Sequence, residues 1–357
     1  MSRGPADLVR DDVRAINAYH VPPAQGMVKL DAMENPYRLP QALAEEMGRR
    51  LAQVAVNRYP DPTNAPLKRR LREAMSIPDA LEIVLGNGSD EILQLLTVAL
   101  ARPGATVLSL EPSFAVYKLA AAAAGMRYVG VPLNEDFSLD EARLLAAMER
   151  ERPALTWIAY PNNPTGNLFA REAILRIVAA APGAVAIDEA YYAFSGGASL
   201  LDEVGKHPNL LLVRTVSKLG LAGLRVGLAI ATPDWTRELE KLRMPYNVNV
   251  LSAAAADLLL ERRDVLDAQT HAILAERARL ERALDAMARV RRFPSAANFV
   301  LVRVPDAPRA FEALRERGIL VRTFHGTHPL LAHCLRLTVG TPDENTRMLE
   351  VLAPAVG

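Results

Sequence analysis

The chain has 357 residues, enough for one large domain and a smaller one rather than a single small core. Its 42 basic and 41 acidic residues nearly cancel to a net +1, which removes the electrostatic case for nucleic acid or an anionic membrane as main partner. One cysteine, Cys334, excludes an internal disulfide or a thiolate metal centre. No apolar run reaches the roughly 20 residues that span a bilayer. Met1–Asp12 is charged and lacks the apolar stretch of a secretory signal, so a cytoplasmic protein is expected.

In chain order, residues 1–40 carry Pro22, Pro23, Pro36 and Pro40 without sustained periodicity, and read as an extended arm that packs on the small domain. Gln41–Val56 and Ala65–Met75 have helical spacing. From there strands alternate with helices: strand Leu81–Leu85, helix Ser89–Ala101, strand Thr106–Leu110, helix Phe114–Ala124, strand Arg127–Val131, helix Leu139–Glu151. Strands Leu155–Tyr160 and Ala184–Ile187 flank the helix Arg171–Ala181, and Leu210–Val216 and Val226–Ala231 follow. Strands this short and continuously apolar are buried on both faces, and the helices between them serve as crossovers. The expectation for 41–250 is a large α/β domain, a mostly parallel sheet of the seven-stranded type covered by helices. Leu251–Met287 predicts one long helix or two in series. Strand Phe299–Val304, helix Pro308–Arg317, strands Leu320–Thr323 and Leu335–Val339 and a final helix from Asp343 complete a small α/β C-terminal domain, so that 251–357 is linking helix plus small domain.

Open α/β sheets bind ligands beyond the carboxyl ends of their strands, so the polar residues closing each strand are the place to search. Leu81–Leu85 is followed by Gly86-Asn87-Gly88-Ser89-Asp90-Glu91, a turn into a helix N-terminus that suits a phosphate but alone is also an ordinary capped turn. Leu155–Tyr160 is followed by Pro161-Asn162-Asn163-Pro164-Thr165-Gly166, first of all a turn, though an asparagine amide there can donate to a phenolate or carboxylate. Ala184–Ile187 is followed by Asp188-Glu189-Ala190-Tyr191, and a carboxylate at the end of a buried strand is costly unless something pairs with it.

Leu210–Val216 is followed by Ser217-Lys218-Leu219-Gly220-Leu221-Ala222-Gly223-Leu224-Arg225. The chain holds only six lysines, and of these Lys218 alone ends a buried strand among small and apolar residues. Burial and a nearby arginine depress a lysine pKa, as a lysine that condenses with a carbonyl requires. Ser217 and Arg225 are natural phosphate ligands beside it.

The ordered set Asn-Pro-Thr-Gly, Asp-x-x-Tyr and Ser-Lys-…-Arg resembles the fold-type I aminotransferases that use pyridoxal 5′-phosphate (PLP). Within them it is most similar to the histidinol-phosphate aminotransferase family, through Ala18-Tyr19, Leu30–Tyr37, Arg58-Tyr59-Pro60-Asp61, Gly86–Glu91 and Leu335–Gly340. The resemblance implies that Lys218 carries the cofactor and shuttles the proton, that Asp188 pairs with the pyridine nitrogen, and that Asn163 and Tyr191 hold the ring oxygen. It implies Tyr117 stacked on the ring, and Ser89, Asp90, Ser217 and Arg225 around the cofactor phosphate. Tyr59 would reach the cofactor of a neighbouring subunit, making a homodimer part of the mechanism. Arg322 and Arg336 would bind the substrate's phosphate, and Tyr19 and Asn35 would line its pocket. The implied reaction moves an amino group from L-histidinol phosphate to 2-oxoglutarate. An aromatic or broad-range aminotransferase, or a PLP decarboxylase of a phosphorylated amino acid, would share the cofactor residues. Arg225 stands one residue closer to Lys218 than in many members, so a tighter loop is expected. No metal is expected: His325, His328 and His333 lie in a loop-like segment without a nearby following carboxylate.

Overall fold

The computed structural model describes residues 4–16, 18 and 22–357. Strands β1 (Glu82–Asn87), β2 (Thr106–Glu111), β3 (Arg127–Pro132), β4 (Leu155–Ala159), β5 (Ala184–Asp188), β6 (Leu210–Thr215) and β7 (Val226–Ala231) form a seven-stranded sheet in the order β1-β7-β6-β5-β4-β2-β3. Only β7 runs against its neighbours. The sheet is mostly parallel, as its short apolar strands require.

Alternation along each strand divides the core into two layers. Ile83, Leu85, Leu108, Ile158, Ile187, Leu212 and Ile230 point to the face covered by helices Ala65–Ala74, Glu141–Glu151, Arg171–Ala180 and Val250–Glu261. Ala159, Ala184, Ala186, Ala229 and Ala231 point the other way, where small side chains make room for Trp157, for Tyr117 and for the helix Ser89–Ala99. The crowded aromatic pair on that face sits beneath the carboxyl ends of β4 and β5.

The linking segment is two helices in series, Val250–Glu261 and Arg263–Asp285, broken at Arg262. A second sheet follows, built from β8 (Arg291–Arg292), β9 (Phe299–Arg303), β10 (Arg322–Thr323) and β11 (Cys334–Thr338) in the order β10-β11-β9-β8. The run expected as one strand, Leu320–Thr323, is divided at Val321: Ile319–Leu320 pairs in parallel with Val28–Lys29 of the arm, and Arg322–Thr323 pairs with β11. The Asn298 side chain also donates to Met33 O at 3.0 Å and the Thr338 amide to Leu30 O at 3.2 Å, so the arm is fastened to the C-terminal part of the chain beyond that pairing. Two further differences are local. The helix expected over Gln41–Val56 ends at Leu51, and a further helix, Pro233–Glu240, covers the edge of the sheet near β1. No helix among the described residues is long and apolar enough to cross a membrane.

Candidate active site

The strand ends and the arm enclose a cavity of about 450 Å³ whose wall includes Asp188, Tyr191, Asn163, Ser217 and Lys218 from the large domain, and Arg322 and Arg336 from the small one. Each large-domain side chain is delivered by adjacency in the sheet. The parallel neighbours β4, β5 and β6 end at one level, bringing together segments some 25 residues apart in sequence.

At the floor, Asp188 is 5% exposed. Burial pushes its carboxyl up to about 6, against the opposing pull of hydrogen bonds from the Tyr117 hydroxyl (2.8 Å) and the Ala190 amide (3.1 Å). Lys218 faces the cavity and donates to Ala32 O of the arm at 3.0 Å. Burial, and then the positive charge of Arg336, bring its ammonium down to about 8. About a tenth of the lysine is then neutral amine at pH 7, far more than for an ordinary lysine, and that form is what a nucleophile or proton carrier needs.

Asn163 joins the two domains. Its amide donates to the Tyr191 hydroxyl oxygen at 3.1 Å, and its Oδ1 accepts from Arg336 Nη1 at 2.6 Å. Arg336 is 5% exposed and also donates through Nη2 to Asp31 O at 2.6 Å. The same short stretch of arm, Asp31-Ala32, thus holds both cationic groups by its carbonyls.

The end of the cavity at the N-terminus of the helix Ser89–Ala99 is lined by Ser89, Asp90, Ser217 and Arg225. Gly88 precedes the helix Ser89–Ala99 at φ +83°, and a Cβ there would collide with the Arg225 guanidinium. Arg225 itself has φ 52°, a left-handed turn that lets the shortened loop after Lys218 bring it back to the cavity, where it donates to Asp90 Oδ2 at 3.2 Å. Thr215 lines the same end and donates to Ser217 Oγ at 2.8 Å.

Some expected residues sit elsewhere. Tyr117 is in the wall but offers no open ring face: it is fully buried, stacked on Trp157 at 5.2 Å, with its hydroxyl committed to Asp188. Phe114, partly exposed in the loop just before that helix, presents the aromatic surface instead. An aromatic residue so close after the end of β2 was the available signal. Asn35 is outside the cavity wall, because its side chain is tied to Gln269 Oε1 (2.9 Å), Leu219 O (3.4 Å) and the Tyr37 amide (2.9 Å). Met33 and Glu34 take its place in the lining. Tyr59 is 80% exposed and stacks on Tyr246 at 4.6 Å, away from this cavity. Tyr19 lies outside the described residues. Among the described residues no group of three or more metal-binding side chains occurs, the His325–His333 pair included.

The donor set fits PLP: an amine to bind the aldehyde, a buried carboxylate for a pyridinium, an amide and a phenol for the ring oxygen, and a hydroxyl- and guanidinium-lined helix N-terminus for the phosphate. Residues 25–352 match the family model described as aminotransferase class I and II. The chain is 55% identical to histidinol-phosphate aminotransferase of Chromobacterium violaceum, over 97% of this chain and 97% of that one. It is 52% identical to histidinol-phosphate aminotransferase 1 of Burkholderia lata, over 99% of each. The crystal structure of histidinol-phosphate aminotransferase from Sinorhizobium meliloti, in complex with pyridoxal 5′-phosphate, superposes with a TM-score of 0.87 at 26% identity, covering 98% of this chain and 97% of that one. Likeness of this degree over nearly the whole length settles the kinship: the chain belongs to the class I and II aminotransferase family, in its histidinol-phosphate aminotransferase group.

Proposed function

We propose that this chain uses PLP to transfer the amino group of L-histidinol phosphate to 2-oxoglutarate, giving imidazole-acetol phosphate and glutamate in histidine biosynthesis. The observation that carries the substrate class is the pair Arg322 and Arg336, cross-strand partners that both line the cavity holding Lys218 and Asp188. Two guanidinium groups at one spot suit a phosphate dianion.

When bound, PLP supplies an electron sink for charge developing at the substrate carbon. Asp188 holds the pyridine nitrogen in its protonated form, and Asn163 and Tyr191 hold the ring oxygen. Ser89, the backbone amide of Asp90, Ser217 and Arg225 would hold the cofactor phosphate, and Phe114 rather than Tyr117 would offer the ring an aromatic surface. Lys218 Nζ anchors the cofactor and then moves the proton leaving the substrate Cα. Arg322 and Arg336 orient the substrate by its phosphate. Tyr59 serves a neighbouring subunit's cofactor phosphate in a homodimer. In support, Tyr59 is exposed and not part of its own chain's cavity wall, and Val56, Met244 and Tyr246 are exposed apolar or aromatic residues as well. As an enzyme of amino-acid biosynthesis it works in the cytoplasm.

The test is an absorbance titration of the PLP-loaded protein with L-histidinol phosphate and no keto acid. The visible cofactor band should fall as the band of the aminated cofactor grows. Conversion by aromatic amino acids alone would displace the substrate, and carbon dioxide release from a phosphorylated amino acid would displace the reaction. Absence of any visible band would remove Lys218 as cofactor lysine.

A further inference from the structure

Arg322 and Arg336 stand directly opposite each other on antiparallel strands β10 and β11. Like charges in that register repel, yet both side chains reach the same cavity wall. One ring lies against both. Phe324 has its centroid 5.3 Å from Arg336 Cζ and 5.9 Å from Arg322 Cζ, within range for a guanidinium on an aromatic face. A second ring, Phe299, is 5.3 Å from Arg336 Cζ. Phe324 lies one residue past β10, and its amide donates to Cys334 O at 3.0 Å, so its backbone is held in line with the strand. It also lines the cavity, where a ligand would meet it.

We propose that Phe324 is a positioning residue for the phosphate-binding arginines: its ring, within cation–π range of both, holds Arg322 in the cavity wall beside an Arg336 already tied by Asn163 and Asp31, so that a phosphate dianion meets both guanidinium groups in place. The proposal rests on the reading of these arginines as the substrate-phosphate site. It makes selectivity for phosphorylated substrates depend on an uncharged side chain.

Phe324→Leu keeps apolar bulk and removes the ring face, whereas Phe324→Tyr keeps the face. The measurements use the PLP-loaded enzyme, in which the cofactor phosphate site is filled. They are competitive inhibition by inorganic phosphate, and KM and kcat for L-histidinol phosphate. Phe324→Leu is expected to raise both the inhibition constant for phosphate and the KM about tenfold, with kcat within about twofold of the parent. Phe324→Tyr should restore both constants to within about twofold of the parent. An unchanged inhibition constant in Phe324→Leu, or a loss confined to kcat that tyrosine does not rescue, would overturn the proposal while leaving the arginine site intact. Failure of inorganic phosphate to compete even in the parent enzyme would overturn the arginine site and this proposal together.

Discussion

The Tyr117 hydroxyl and Asp188 Oδ2 are 2.8 Å apart, a hydrogen bond that ties the helix following β2 to the end of β5. The phenol donates and the carboxylate accepts, so the bond favours the charged acid and opposes the burial that drives its pKa up. Tyr117 can do this because its ring is locked on Trp157 in the alanine-lined layer.

Tyr117→Phe deletes that donor while keeping the ring. A hydrogen bond to a charged group contributes about 1.5–3 kcal/mol, so the Asp188 carboxyl should climb by at least about one unit above its present value. A protonated Asp188 cannot pair with a protonated pyridine nitrogen. PLP retention, followed by equilibrium dialysis, should therefore weaken more at pH 6 than at pH 8. Equal weakening at both would assign Tyr117 a packing role only.

Asp188 costs the empty protein stability. Its folded pKa of about 6 lies above the ordinary 3.8, so the folded form binds more protons between those values, and stability falls as pH rises through that window. A shift of about two units corresponds to about 3 kcal/mol at neutral pH. Asp188→Asn removes the charge, keeps its one oxygen for the Ala190 amide and turns its NH2 toward the Tyr117 hydroxyl oxygen, which can accept. The cofactor-free variant should be about 2–3 kcal/mol more stable than the cofactor-free parent at pH 7 in urea titration, with the gain shrinking toward pH 4. The same variant should hold PLP poorly, which makes the carboxylate a stability-for-function exchange.

The sheet was legible because strands buried on both faces leave no other reading for short runs such as Ala184–Ile187. The floor of the site was legible because a polar residue closing such a strand has few places to go. What escaped the sequence depends on contacts across long separations. That Ala32 O meets Lys218 follows from pairing of the arm with Ile319–Leu320, which no local pattern announces. The exchange of Phe114 for Tyr117 depends on where the helix begins: its first turn carries Tyr117 inward onto Trp157, while Phe114 in the preceding loop stays at the cavity. Asn35, in a motif that resembled a pocket wall, is drawn away by Gln269 on the linking helix.

Arg214 illustrates a feature that is half legible. An arginine inside a strand buried on both faces needs a partner, and Glu189 supplies it from the next strand's end. Arg214 Nε and Nη2 bond Glu189 Oε2 at 3.0 and 2.9 Å, while Leu200 N donates to Oε1 at 2.7 Å. Both side chains are almost wholly buried. The pair links the residue after Asp188 to the strand that delivers Lys218. Arg214→Met should destabilise the protein by about 3–5 kcal/mol, because it strands a buried carboxylate. Arg214→Met with Glu189→Leu should recover most of that loss in chemical denaturation. No recovery in the double variant would mean that the arginine acts through Met75 O and Tyr192 rather than through the carboxylate.

Lys218 and Arg336 offer the last test, since one charge has two consequences. With the ammonium near 8, the neutral amine fraction in the cofactor-free protein grows as pH rises toward 8 and levels off above it. The rate of PLP capture should follow that curve. Arg336 is the second cause of the lowered value, after burial, so replacing it with glutamine removes a like charge and lets the ammonium persist to higher pH. Arg336→Gln should therefore move the midpoint of the capture profile upward, and in the PLP-loaded enzyme it should raise KM for L-histidinol phosphate about tenfold or more. A raised KM with an unmoved midpoint would mean that burial alone tunes Lys218, leaving Arg336 a substrate ligand and nothing else.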